Sequence, residues 1–112
     1  MEELINIEGA CEQLKISREI YLRILFKAVE QTRQDLDRLQ KACEQNDINT
    51  IQAIAHRLKG DYANLRIEQL SGIANGLNML AKHEYDSLQA KILIDQFKVS
   101  FEHVASLLSE QN

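Results

Sequence analysis

His56 is the residue whose type and surroundings most clearly suggest chemistry in this sequence. A neutral imidazole is a good nucleophile near physiological pH, so an exposed histidine can accept a transferred group on a ring nitrogen. Lys59 follows three residues later, and on a helix its ammonium would lie on the same side, where it can balance the charge of a phosphoryl group. Gln52, one turn before His56, adds a hydrogen-bonding group. This combination is suited to carrying phosphate.

Small residues surround His56 on the same predicted helical face. Ala53 lies three residues before it, Gly60 four after and Ala63 seven after, so all three project near the ring. A glycine inside a helix costs roughly 0.5–1 kcal/mol relative to alanine, which calls for a reason beyond helix formation. Close approach by a partner is one such reason. The imidazole is therefore predicted to be unshielded.

The residues alone leave other interpretations of His56 open. A single histidine on a helix surface is most often a solvated polar residue. Metal or haem binding needs converging ligands, but His83 and His103 belong to other segments and no pair has a zinc-like spacing such as HExxH. Nucleophilic catalysis lacks a recognisable elbow or glycine-rich phosphate loop. We therefore expect neither a metal nor a cofactor.

The two cysteines, Cys11 and Cys43, fit neither a CxxC motif nor a zinc pattern. Each falls on an apolar helical position, which predicts buried, inert thiols.

The composition predicts an all-α fold in a single domain. The 112 residues contain no proline and four glycines, and good helix formers are abundant. A net charge of −4 gives no electrostatic reason to expect a nucleic acid partner. The apolar runs are far shorter than the ~20 residues of a membrane helix, and Met1-Glu2-Glu3 is unlike a basic signal-peptide start. We expect one cytoplasmic domain spanning residues 1–112, with no membrane partner.

Apolar periodicity and the polar breaks between periodic segments predict five helices. The predicted N-caps include Asn6, Ser17, Asp47 and Asp86, with Gln89 completing a capping box behind Asp86. The predicted ranges are a short helix at about 7–15 and longer helices at about 18–45, 48–65, 67–82 and 87–110. Short connections force neighbouring helices to run antiparallel. The sequence thus predicts an up-down-up-down four-helix bundle with a short additional N-terminal helix closing one end.

The third helix orients His56 through its apolar stripe. At about 100° per residue, His56 projects roughly 150° away from the stripe and should face solvent. Phenylalanine and methionine side chains at helical spacing, Phe97 and Phe101 above all, are expected in the core. The stripe of the third helix consists of Ile51, Ile54, Ala55, Leu58, Tyr62 and Leu65.

The stretch Ala55-His56-Arg57-Leu58-Lys59-Gly60, continuing through Asn64, Leu65, Leu70 and Leu77, resembles the signature of histidine-containing phosphotransfer (HPt) domains. That family places a phosphorylatable histidine before a Leu-Lys-Gly triplet and a leucine-rich helix, and its layout matches nearly the whole chain. The resemblance implies that His56 carries the phosphoryl group and Lys59 helps to hold it. It also implies that Gly60 keeps the surface low for the partner.

The sequence departs from the family pattern at several positions. Asp61 and Tyr62 replace small serines; Tyr62 falls on the core stripe and Asp61 lies away from His56, so we interpret both as structural. Arg66 stands where glycine commonly ends the helix, and a left-handed backbone there would be mildly strained. Asn78 replaces a glutamate or glutamine near the histidine, and we retain it as a predicted binding residue.

The predicted function is that of a phosphocarrier rather than an enzyme. His56 would accept and donate a phosphoryl group between receiver (response-regulator) domains of a two-component phosphorelay. The resemblance implies a receiver domain and/or a hybrid histidine kinase as partner, with the receiver supplying the aspartate and magnesium. Alternatively, the domain binds or sequesters a receiver or kinase without transfer, and His56 is incidental. The initial methionine and the lack of a linker favour a stand-alone phosphocarrier.

Overall fold

The computed structural model describes residues 5–111. Residues 1–4 and 112 of the predicted domain, including Met1-Glu2-Glu3, lie outside the described residues. The described part is all-α, as predicted. Its helices are α1 (Ile7–Leu14), α2 (Arg18–Glu44), α3 (Ile48–Asn64), α4 (Glu68–Lys82) and α5 (Ser87–Ser109).

Helices α2 to α5 form a closed four-helix bundle. Each packs against the helices before and after it, and α5 closes the bundle against α2. Within the described residues the backbones of α3 and α5 do not approach each other, so these two helices lie diagonally across the bundle. The short α1 packs on α2. The predicted up-down-up-down bundle with an additional N-terminal helix is confirmed.

Side chains of the predicted N-cap residues satisfy free backbone amides at four helix starts. The prediction of a capping box at α5 was wrong, because Asp86 accepts from the amide of Leu88 and not from that of Gln89. Helix α4 begins after Ile67 without a side-chain cap. The other three capping bonds run from Gly9 N to Asn6, from Ile20 N to Ser17 and from Thr50 N to Asp47.

The core contains the apolar stripes read from the sequence. All six residues of the predicted α3 stripe are buried. Phe97 and Phe101 are buried as expected: the ring of Phe97 meets that of Tyr62 edge-on at 6.1 Å and stacks on Phe101 at 6.5 Å. The contact between Tyr62 and Phe97 joins α3 to α5 across the centre of the bundle. It is made by side chains alone, because the two backbones remain apart.

Four apolar residues are less buried than their positions in the periodic pattern suggested. Cys11 and Cys43 are free thiols but only half-buried, so the prediction of fully buried cysteines was wrong. Phe26 and Met79 are exposed, contrary to the expectation for phenylalanine and methionine at helical spacing. A helical pattern fixes the direction of a side chain but not how far the neighbouring helix covers it.

Arg66 ends α3 with φ 63°, in the left-handed region that glycine usually occupies. The amide of Ile67 donates to the carbonyl of Tyr62 at 2.9 Å, which satisfies the helix end. The Arg66 guanidinium also donates to Gln13 Oε1 at 2.9 Å, linking this turn to α1. The turn therefore keeps its left-handed form without glycine.

Candidate functional site

His56 lies exposed on the solvent side of α3, as its position opposite the apolar stripe predicted. Ala53, Gly60 and Ala63 are exposed around it. A Cβ added at Gly60 would meet no atom within 4 Å, so this part of the surface is open. The imidazole therefore lies among small, exposed residues that leave it open to a partner.

Lys59 and Gln52 are half-buried on the side of α3 that turns toward α4. Ser71 of α4 donates from its hydroxyl to the backbone carbonyl of Lys59 at 3.1 Å. Within residues 5–111, no carboxylate lies at ion-pair distance from the Lys59 ammonium. The backbone of Lys59 is thus fixed while its charge is not neutralised within the described part of the chain.

Arg57 follows His56 in sequence but is bound on the other side of α3. Its guanidinium donates to Asp35 Oδ1 of α2, and Asp35 is 0% exposed. The same oxygen accepts from Gln31 Nε2 at 3.3 Å and lies 3.8 Å from the guanidinium of Arg38. Asp35 Oδ2 is buried and has no hydrogen-bond partner among the described residues. Arg57 therefore compensates a buried negative charge.

Sequence reasoning missed this pair, and one signal for it was present. Asp35 directly precedes Leu36 and lies three residues after Thr32, so it falls at the edge of the α2 apolar stripe. A charged residue in such a position is buried only when it is paired. The sequence does not say which residue pairs with it, because Arg57 lies on another helix.

Two tyrosines extend the polar contacts between α2 and α3. The buried hydroxyl of Tyr62 donates to Thr32 Oγ1 at 2.7 Å, since Thr32 itself donates to the carbonyl of Ala28. The hydroxyl of Tyr21 donates to the carbonyl of Leu65 at 2.6 Å. Burial raises the pKa of each tyrosine to about 12. These contacts hold α3 on α2 and so orient the face that carries His56.

Asp61 is half-buried beside Arg57 and Asp35, away from His56 as expected. Burial raises the pKa of its carboxyl, and the positive charge of Arg57 acts in the opposite direction. Asp61 belongs to the α2–α3 side of the helix and is not part of the exposed histidine face.

Asn78 does not lie on the exposed face. Its side chain is 1% exposed, and its Oδ1 has no hydrogen-bond partner within residues 5–111. The structure brings His56, Ala53, Gly60 and Ala63 onto one open surface, whereas Asn78 belongs to the bundle interior. Among the described residues no hydrogen bond joins the Asn78 amide to the imidazole in place of the glutamate or glutamine that the resemblance implies.

A groove of about 590 Å³ lies between α1, α2 and the C-terminal part of α3. We call it the α1–α3 groove. Asn64, which follows the exposed Ala63 in sequence, lines it together with Asp61. Its apolar lining residues are Leu14, Ile16, Ile24, Ala28 and Leu65.

The other histidines are separate from this surface. His83 caps the end of α4 and His103 lies exposed on α5. Within residues 5–111, no three His, Cys, Asp or Glu side chains are grouped so that they could hold a metal ion. No helix in the same part of the chain has the length and apolar content needed to cross a membrane.

Comparison with known proteins identifies the family. The family model described as "Hpt domain" matches residues 23–108, from the first turns of α2 almost to the end of α5, and leaves α1 outside the match. No curated protein and no solved structure matches the chain significantly. Hpt domains interact with receiver domains and kinases in phosphorelays. The chain therefore belongs to the Hpt domain family, whose members are phosphotransfer modules of two-component signalling.

Proposed function

We propose that the protein is a histidine phosphocarrier that accepts a phosphoryl group on His56 from one receiver domain and donates it to another. The observation that carries the proposal is the exposure of His56 among Ala53, Gly60 and Ala63 on a helix whose family transfers phosphate. A Cβ at Gly60 would meet open space, so this side of the ring is open to an approaching aspartyl phosphate.

The transfer consists of one displacement at phosphorus. The lone pair of a neutral imidazole nitrogen of His56 attacks the phosphorus of the receiver's aspartyl phosphate, and the aspartate oxygen leaves as a carboxylate. The new N–P bond leaves a positive charge on the ring, which is relieved when the other ring nitrogen loses its proton. Donation runs through the same steps in reverse toward a second aspartate. The magnesium ion belongs to the receiver in this proposal.

Lys59 is the proposed cation for the phosphoryl group on His56. Its side chain leaves α3 about 60° from His56, and within the described residues its ammonium is not neutralised by a carboxylate. A charge-assisted hydrogen bond to a phosphoryl oxygen is roughly twice as strong as a neutral one. Arg57 does not fill this role, because it is held by Asp35.

Docking of the receiver is proposed over the histidine face and the neighbouring α1–α3 groove. Ile24 of α2 lines the groove and is exposed, as is Ile20 one turn before it, and apolar surface of this kind marks protein contact sites. Asn64 lines the groove, and the exposed Ala63 next to it in sequence belongs to the surface around His56. A receiver placed there would cover apolar side chains while presenting its phosphoaspartate to the ring. The same surface would serve a hybrid histidine kinase through its receiver domain.

Phosphotransfer from labelled receivers tests the proposal. A panel of purified receiver domains is phosphorylated with labelled acetyl phosphate and magnesium, and each is mixed with the wild type, with His56→Gln or with His103→Gln. We expect at least one receiver to label the wild type and His103→Gln, with the acid-labile, base-stable behaviour of phosphohistidine, and to leave His56→Gln unlabelled. His103→Gln is the matched control because its imidazole is also exposed but lies on α5.

Equal labelling of His56→Gln would contradict the assignment of His56. The alternative function, binding or sequestration without transfer, is favoured by the buried amide of Asn78, which leaves the imidazole without the contact expected in the family. It predicts that a receiver binds the wild type and His56→Gln equally well and labels neither. Calorimetric binding measurements on the same samples therefore separate the two functions.

A further inference from the structure

The outer side of α5 carries an apolar ridge that no described part of the chain covers. Leu88, Ile92 and Val99 are 65%, 41% and 74% exposed. At about 100° per residue these three side chains lie within an arc of about 40°, on the opposite side of α5 from its buried stripe. We call these three residues the α5 ridge. Exposed apolar side chains aligned in this way are typical of contact surfaces.

The charged residues along one flank of the α5 ridge alternate in sign. Lys91, Asp95, Lys98 and Glu102 follow one another at spacings of four, three and four residues. Glu102 is bonded to Arg33 of α2, at 3.0 Å. Within residues 5–111, Lys91, Asp95 and Lys98 form no ion pair. Three of the four charges are thus available to a second molecule.

This charge order is complementary to itself when two copies of α5 run antiparallel. A twofold axis passing between Gln96 and Phe97 places Asp95 of each copy opposite Lys98 of the other, and Lys91 opposite Glu102. A parallel pairing would instead place each charge opposite its like. Self-complementarity about a twofold axis is the requirement for an isologous dimer interface.

The apolar side chains of the α5 ridge agree with the same arrangement. The twofold axis that pairs the charges puts Val99 of the second copy within two residues of Ile92 along α5, and both side chains lie on the same side of the helix. The exposed apolar side chains of the two copies would therefore cover each other.

We propose that the α5 ridge is a homodimer interface on which a second copy of this chain packs with its α5 antiparallel. The 23 residues of α5 are about 34 Å long, so the ridge offers less than the roughly 800 Å² per partner of a standard interface. A contact of that size belongs with the interfaces of weak, transient complexes. Since α3 lies diagonally across the bundle from α5, both His56 surfaces face outward.

Sedimentation equilibrium of the wild type, Asp95→Lys, Lys98→Glu and their equimolar mixture tests the proposal at concentrations from about 10 µM to about 1 mM. We expect the wild type to dimerise and each variant alone to be at least about tenfold weaker, because like charges then face each other twice. The mixture should regain dimers with a Kd within about threefold of the wild type, since lysine again faces an acidic residue at both places.

Several results would overturn the proposal: a wild type that stays monomeric at about 1 mM, single variants that dimerise as the wild type does, or a mixture that fails to recover. Thermal unfolding of each variant shows whether it is folded. Val99→Ser provides a second probe that changes no charge, and it too should weaken the dimer about tenfold or more, because it removes the apolar contact between Val99 and the α5 ridge of the second copy. Labelling of His56 is unaffected by these outcomes, so the test is independent of the proposed phosphotransfer.

Discussion

Helix α3 is held on its two sides by different kinds of contact. Toward α2 it makes buried polar contacts: Arg57 with Asp35, and Tyr62 with Thr32. Toward α4 it packs more extensively than any other pair of helices does, but within the described residues a single side-chain hydrogen bond, from Ser71 to the carbonyl of Lys59, joins the two. The α2 side fixes the orientation of α3, whereas the α4 side leaves the charge of Lys59 available.

Because of this difference, two basic residues of one sequence motif have different surroundings. Arg57 and Lys59 both flank His56, yet one compensates a buried carboxylate and the other has no acidic partner among the described residues. Stability and transfer are therefore expected to depend on different cations. Substitutions on the two sides of α3 can test that division.

Arg57→Met should produce the largest loss of stability. It leaves Asp35 buried without its main partner, and breaking such a pair typically costs 3–5 kcal/mol. Because Gln31 and Arg38 remain close to Asp35, we expect about 3 kcal/mol from urea unfolding at pH 7. The rate of phosphotransfer per folded molecule should stay near that of the wild type. A large fall in this rate with unchanged stability would reverse the roles assigned to the two residues.

Lys59→Met should have the opposite profile. Without an ion pair to lose, the free energy of unfolding should change by less than about 0.5 kcal/mol. The transfer rate from a labelled receiver should fall roughly tenfold, which corresponds to one charge-assisted hydrogen bond. Rapid-quench measurements on the two methionine variants, each serving as control for the other, check both quantities. If both variants transfer equally fast, Lys59 is not the phosphate-binding cation.

Tyr62→Phe should lower stability by about 1 kcal/mol at pH 8 through the lost bond to Thr32. The folded protein holds the Tyr62 proton more tightly, because burial raises its pKa to about 12 from an ordinary value of about 10. The stability that the folded state gains from holding this proton is complete below about pH 10, and it is lost as the pH rises from there toward about 12. Phenylalanine does not titrate. The free energy of unfolding, measured in urea, should therefore fall less between pH 8 and pH 11 in the variant than in the wild type. An equal loss would rule out this coupling.

Gly60→Ala should change the free energy of unfolding in the favourable direction. The added methyl meets open space and improves helix propensity, for a gain of roughly 0.5–1 kcal/mol. Transfer should nevertheless slow if the receiver needs a low surface there. Gly76→Ala is the control: its Cβ would make ordinary contact with Leu93 at 3.8 Å, on the α5 side of α4. Unchanged transfer in Gly60→Ala would refute the need for a bare surface.

The periodic features of the sequence were sufficient to predict the bundle and the exposure of His56, because both depend on which side of a helix a residue occupies. The left-handed turn at Arg66 did not follow from residue type, because arginine is strained in that conformation and only the contacts of the turn reveal it. Pairing between helices did not follow from local rules either. Asp35 and Arg57 are 22 residues apart, and the pattern of neither helix predicts which residue of the other helix it pairs with. The burial of Asn78 likewise depends on how closely neighbouring helices pack, which a helical pattern does not contain.

Local unfolding of helix α1 would change the shape of the α1–α3 groove. Eight residues are too few to hold a helix in water, so α1 persists through the burial of Ala10 and through contacts such as the one between Arg66 and Gln13. Leu14 supplies part of the groove wall. Opening of α1 would remove that wall while the four long helices stay folded. The apparent affinity of any protein that docks in the groove is then scaled by the fraction of molecules in which α1 is formed.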